Sequence, residues 1–179
     1  MAWEKLIESF GALYEKRGQA MLLRTPPPMR VIRPMGAGKY VCVMTGDGPP
    51  DYMMLFAIDG THPEPVLAEA KSNQSGRWQL SNLKEHQAKK LGAWHRSGGL
   101  ACVLVGHQPT KTGYILPWSK LGIVWEQWKL RSIANKKAPS GTASLSAANM
   151  EQMGVSWSFS NGYLEAMHAV IQAHRLGRS

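Results

Sequence analysis

Residues 48–73 read GPPDYMMLFAIDGTHPEPVLAEAKSN. Two short apolar runs lie within this stretch, Tyr52 to Ile58 and Val66 to Ala70. Each has the length of a strand and lacks a helical period. Asp59-Gly60 between them is a turn signal, so the runs are expected to pair as an antiparallel hairpin. Side chains two apart along a strand face one side, so Glu69 and Lys71 project together. Asp51 begins the first strand, and a turn near Gly60 to His62 brings it opposite Glu69 or just beyond. Two carboxylates and one ammonium then converge at one end of a sheet.

That set suits phosphodiester hydrolysis. Two carboxylates can hold Mg²⁺, a hard cation that takes oxygen ligands and keeps several waters. The carbonyl of Ala70 offers a further oxygen. The ion lowers the pKa of a bound water and polarises phosphoryl oxygens, while Lys71 can orient the water or offset developing charge. An isolated Glu-x-Lys more often means an edge ion pair. Here Val66, Leu67, Ala68 and Ala70 surround Glu69, and a carboxylate among buried strands needs compensation.

Outward from this core, Trp3, Leu6, Ile7, Phe10, Leu13 and Tyr14 mark one face of an N-terminal helix, ended by Gly18. Gln19 to Leu23 reads as a strand, and Pro26 to Pro28 forbid helix after it. Met29 to Arg33 is extended or irregular, Met35 to Lys39 a turn, and Tyr40 to Met44 a strand. Asn73 to Trp78 reads as polar loop. Ser81 or Asn82 can cap a helix to about Arg96, with Leu83, Leu91 and Trp94 inward. Gln87 falls on that stripe and needs a partner there. Leu100 to Val105 has no alternation, so both faces are covered. Thr112 to Leu116 is a strand, Trp118 to Trp128 contains a short helix, Lys136 to Ala148 is loop or hinge, and Tyr163 to Leu176 is a last amphipathic helix. The order predicts an α/β sandwich around a mixed sheet, in one domain.

Twenty-one Lys and Arg against 12 Asp and Glu give the 179-residue chain a net charge of +9, a balance suited to a polyanionic partner. Arg24, Arg30, Arg33, Lys39, Arg77 and Lys84 are candidate phosphate contacts, with Trp78 or Tyr40 available for stacking. Cys42 and Cys102 each sit in an apolar run and read as buried free thiols. The six His show no zinc-binding spacing. Neither a signal peptide nor a membrane-length apolar run is evident, so a cytoplasmic location is expected, in a prokaryotic cell or a phage-infected host.

Asp51, the hairpin and Glu69-Ala70-Lys71 resemble the PD-(D/E)XK nuclease signature, and more closely that of RecU-type Holliday-junction resolvases. The ordered set carries the likeness: the helix from Trp3, then Pro26-Pro27-Pro28 followed by Met29-Arg30-Val31-Ile32, then Asp51, Glu69-Ala70-Lys71, Leu83-Lys84-Glu85-His86-Gln87, and the strand Gly99 to Val105. It runs from about residue 3 to 130, more loosely to Ile171. It departs at Pro27, inside a Pro-x-Pro segment, and in the short stretch between Ile32 and Asp51. The resemblance implies a restriction-endonuclease-like fold, with a central mixed sheet flanked by helices. Residues 1–179 then form a single nuclease domain with a reduced stalk-like segment at about 33–48. It implies Asp51, Glu69, Lys71, Gln87 and Glu4 as catalytic residues, with Glu8 the alternative to Glu4. Asp51, Glu69 and Ala70 would hold Mg²⁺, or Mn²⁺ as the alternative ion. The implied activity is symmetric cutting of four-way DNA junctions by a homodimer; Trp125, Trp128 and Trp157 are interface candidates by size. Another PD-(D/E)XK endonuclease, of restriction or repair type, and a non-catalytic basic DNA-binding protein are the competing readings.

Overall fold

Strand β5, Glu64–Asn73, runs through the middle of the molecule because apolar residues stand on both of its faces. Val66, Ala68 and Ala70 enter one hydrophobic core and Leu67 enters another. The computed structural model describes residues 2–58, 63–134 and 143–177, with the side chains of 132–134 left aside. The expected turn at residues 59–62 lies outside them, as do residues 136–142 of the expected loop from Lys136 to Ala148; from Ser144 that loop is instead a strand, Ser144–Ser146, and the start of a helix at Ala147.

The other strands are β1 (Ala20–Arg24), β2 (Met29–Gly36), β3 (Lys39–Met44), β4 (Tyr52–Phe56), β6 (Arg77–Gln79), β7 (Leu100–His107), β8 (Thr112–Pro117), β9 (Ser144–Ser146) and β10 (Val155–Ser158). Helices α1 (Trp3–Lys16), α2 (Glu85–Arg96), α3 (Trp118–Ala134), α4 (Ala147–Met153) and α5 (Leu164–Leu176) complete the order. Six strands form one mixed sheet in the order β1-β4-β5-β7-β8-β10. The β5–β7 pair is parallel and its crossover is α2; the other pairs are antiparallel. Helices flank the sheet, as the α/β reading expects. α1 and α5 share a core with Tyr52, Phe56 and Leu104, while α2, α3 and α4 share the other with Val103, Val105 and Leu116. β7 is buried at all eight positions, which is why its sequence shows no alternation.

The β2–β3 pair leaves this body as a two-stranded ribbon exposed along nearly its whole length. It overlaps the segment expected to be a reduced stalk. Its turn, Gly36-Ala37-Gly38, has φ of 84, 49 and 72°, a left-handed run that two glycines make accessible. Neither face of the ribbon is covered by a helix, so Cys42 is exposed and only Cys102 is buried, against the expectation of two buried thiols.

Other expectations are corrected by packing. Ser81 and Asn82 do not cap α2; they lie in a 3₁₀ turn, Leu80–Asn82, and Lys84 is the N-cap residue. The Gln87 Oε1 accepts the Lys84 backbone N–H at 3.0 Å, closing the first turn from inside the helix. Part of the polar loop is strand β6, which pairs with β9 and turns Trp78 and Leu145 inward. Trp78 is therefore fully buried and unavailable for stacking. Trp125 and Trp157, each 7% exposed, fill opposite cores, and Trp128 packs against one of them, so these rings serve this chain's own interior. α3 is longer than read from sequence, reaching Ala134.

Trp3 anchors α1 on the sheet. Its indole donates to the Leu104 carbonyl at 3.2 Å, and its ring lies over Gly106, where a Cβ would come within 2.4 Å. Gly106→Ala is expected to displace the ring and cost about 1–3 kcal/mol, read by urea unfolding. Gly46→Ala, with nothing within 4 Å, should stay within about 0.5 kcal/mol. Equal effects would refute this account of the anchor.

Candidate active site

The site forms where β5 outruns β4. The register of β4 on β5 begins at Tyr52↔Ala68, so Ala70 has no partner from β4. The Asp51 carboxylate fills that place: its Oδ2 accepts the Ala70 N–H at 2.9 Å. In return the Asp51 N–H donates to Glu69 Oε2 at 3.3 Å. Lys71 follows on the same face of β5, with Nζ 2.7 Å from Glu69 Oε1. Gln87, in the first turn of α2, donates through Nε2 to that same oxygen. Asp51, Glu69, Lys71 and Gln87 are thus brought together by two strands and a helix N-terminus, from sequence positions up to 36 residues apart.

Glu69 is 1% exposed. Burial pushes its carboxyl up to about 7, and the Asp51 charge adds to the rise, while Lys71 opposes it. The charged form is therefore under-compensated by its protein neighbours. A divalent cation would supply what is missing, and Asp51, Glu69 and the Ala70 carbonyl form an oxygen donor set of the kind Mg²⁺ takes. Among the described residues no three His, Cys, Asp or Glu side chains gather as a metal cluster.

Glu4 and Glu8 both lie on α1, held by Arg24 at 3.1 and 2.9 Å. Among the described residues, neither is hydrogen-bonded to Asp51 or Glu69. Glu4 does line one cleft with Ala70, Ser72, Gln74 and Gln108, whereas Glu8 accepts the Tyr52 hydroxyl at 3.3 Å. Of the candidate phosphate contacts, Arg30, Arg33 and Lys39 are exposed on the ribbon, as is Tyr40. Lys84 is exposed beside Gln87, and Arg77 is tied to Ser144 at 2.8 Å.

Three positioning residues escape a reading of the sequence. Thr25 donates its N–H to the Asp51 carbonyl at 2.9 Å, and its hydroxyl to the Pro50 carbonyl. These bonds fix the backbone that carries Asp51. His86 Nδ1 stands 3.3 Å from Asp47 Oδ1, tying the approach to Asp51 onto α2. A threonine before three prolines carries no signal of this kind; His86 stood next to Gln87 with no role assigned.

The family profile described as Recombination protein U matches residues 1–170. The chain is 23% identical over 134 residues to "Holliday junction resolvase RecU" of Staphylococcus aureus, covering 72% of this chain and 62% of the relative. It is 24% identical over 132 residues to "Holliday junction resolvase RecU" of Staphylococcus saprophyticus, covering 71% and 62%. The chain thus spans 62% of the length of these curated relatives.

The Glu69 shift gives a pH signature. Its folded-state value, about 7, lies above the ordinary 4.5. The unfolded chain therefore releases this proton first, and stability in EDTA falls as pH rises between those values. Wild type minus Glu69→Gln, compared by chemical unfolding, should decline by about 3–3.5 kcal/mol across that window. Mg²⁺ should raise the wild-type Tm more at pH 8 than at pH 6. A pH-independent difference would refute a buried, under-compensated Glu69.

Proposed function

This chain belongs to the RecU (Recombination protein U) family, and we propose from that premise that it is a Mg²⁺-dependent endonuclease cutting four-way DNA junctions. The observation that carries the reading is the convergence of Asp51, Glu69, Lys71 and Gln87 at the end of β5. Curated relatives are named Holliday junction resolvases, and the basic chain suits a phosphate polymer.

Asp51, Glu69 and the Ala70 carbonyl are the proposed metal ligands, with Glu4 joining them from α1. The bound ion, Mg²⁺ or Mn²⁺, would supply an acidified water and offset charge on the phosphoryl oxygens. Lys71 orients the attacking water and offsets charge developing on the phosphate. Gln87 steadies Glu69, and burial keeps bulk water from competing for its oxygens. Arg30, Arg33 and Lys39 on the ribbon, with Lys84 and Arg77 on the body, contact phosphates, and Tyr40 offers a ring for stacking. The described body and ribbon act as one nuclease unit with a stalk. A homodimer gives two such sites to two opposed strands, since a C2 assembly matches a pseudo-twofold junction. Among the described residues no helix is long and apolar enough to cross a membrane; we assign the enzyme to the cytoplasm, where its DNA substrate lies.

The test is cleavage of an end-labelled four-way junction in Mg²⁺, beside linear duplex and an EDTA control. Paired symmetric nicks are expected, reduced at least about a hundredfold in Asp51→Asn with junction binding retained. Equal cutting of linear duplex would replace the resolvase reading by a general endonuclease. Binding with no metal-dependent cutting would leave a DNA-binding protein.

A further inference from the structure

Arg24 closes β1, the outer strand beneath α1, and its guanidinium bridges two carboxylates. Nη1 lies 2.9 Å from Glu8 Oε1 and Nη2 3.1 Å from Glu4 Oε2. The two acids stand one helical turn apart on α1 and so share a face. Glu8 has a second tie, the Tyr52 hydroxyl; among the described residues Glu4 has none. Glu4 also borders the cleft that contains Ala70. One arginine therefore engages the acid that borders the cleft containing Ala70.

The arrangement is open to exchange. The Arg24 and Glu4 side chains are 60% and 50% exposed, and exposed ion pairs of this kind are weak. A phosphodiester can reach the guanidinium from solvent, and the planar fork of arginine fits phosphate oxygens as well as carboxylate ones.

We infer that Arg24 is a positioning residue that couples DNA binding to metal binding. In the free protein it draws Glu4 toward itself; a DNA backbone phosphate that takes Arg24 releases Glu4 to the metal centre. The inference rests on the proposed metal ligands. By thermodynamic linkage the metal in turn favours the phosphate-bound state of Arg24 by the same factor. Glu8, retained by Tyr52, marks where the guanidinium departs from.

The experiment titrates Mg²⁺ into the full chain without DNA by isothermal calorimetry. It compares wild type, Arg24→Met, Arg24→Gln, Arg24→Lys, Asp51→Asn and the double variant Glu4→Gln/Arg24→Met, each checked for an intact thermal transition. Removing the guanidinium should tighten Mg²⁺ binding about threefold or more. Arg24→Lys should fall between, because an ammonium keeps the charge but lacks the planar fork that reaches Glu4 and Glu8 through two separate nitrogens. The double variant should lose the gain. In EDTA, junction binding by Arg24→Met should show a salt dependence shallower by about one phosphate contact. Unchanged or weaker Mg²⁺ binding in Arg24→Met and Arg24→Gln, with binding abolished in Asp51→Asn, would overturn the coupling and leave the metal centre standing. A gain that survives in the double variant would equally overturn it, since Glu4 would not be the group released. Wild-type Mg²⁺ binding in Asp51→Asn would overturn the metal centre itself, and the coupling with it.

Discussion

The buried charge of Glu69 is the constraint around which the rest of the molecule is arranged. A carboxylate with 1% exposure cannot rely on water, and an isolated charge in such a place costs several kcal/mol. Three neighbouring segments contribute a compensating group. The segment leading into β4 contributes the Asp51 N–H, β5 itself contributes Lys71, and α2 contributes the Gln87 amide. The compensation remains incomplete, which is what keeps the carboxyl near 7. A cation bound there would have to displace that proton, so its binding would depend on pH.

The same strand has to satisfy two cores at once. Alternate residues of β5 serve α1 and α5 on one side, then α2 and α3 on the other. A shift of one residue in register would exchange Glu69 with Ala70 and bury the acid against Trp3 and Ile7, so apolar packing fixes which way the chemistry faces. Thr25 and the His86–Asp47 pair then fix the one backbone segment that β5 does not control, the approach to Asp51. Fold and site are in this sense one set of contacts, with the sheet setting orientation and the loops setting the last ångström.

How much of this could be read from the chain depended on the length of each signal. β4, β5 and β7 were legible because their apolar runs are unbroken, and the convergence of Asp51, Glu69 and Lys71 followed from strand geometry alone. Gln87 was legible as a polar residue on an inward stripe. β6, β9 and β10 were not, since strands of three or four residues with one or two inward side chains have no measurable period. Trp78 looked available because it follows an arginine in a polar stretch; its burial depends on a pairing with residues 66 to 68 positions later. The ion pairs of Arg24 span 16 and 20 residues, and no local pattern announces them. Thr25 and Asp47 act through hydrogen bonds that any polar residue in a loop might make, so only the tertiary arrangement distinguishes them.

The exposed ribbon has a further consequence, for how such a protein changes over generations. Met29, Val31, Met35, Tyr40 and Met44 are all at least half exposed, and the ribbon adds little to either core. Substitution there leaves the folding free energy of the body almost untouched, so natural selection at those positions weighs encounter with a partner rather than survival of the fold. In β5 the two pressures fall on the same residues. A lineage can therefore vary what its ribbon meets while the cluster of Asp51, Glu69 and Lys71 stays fixed, and the boundary between the free and the constrained sequence falls in the few residues between Met44 and Asp51.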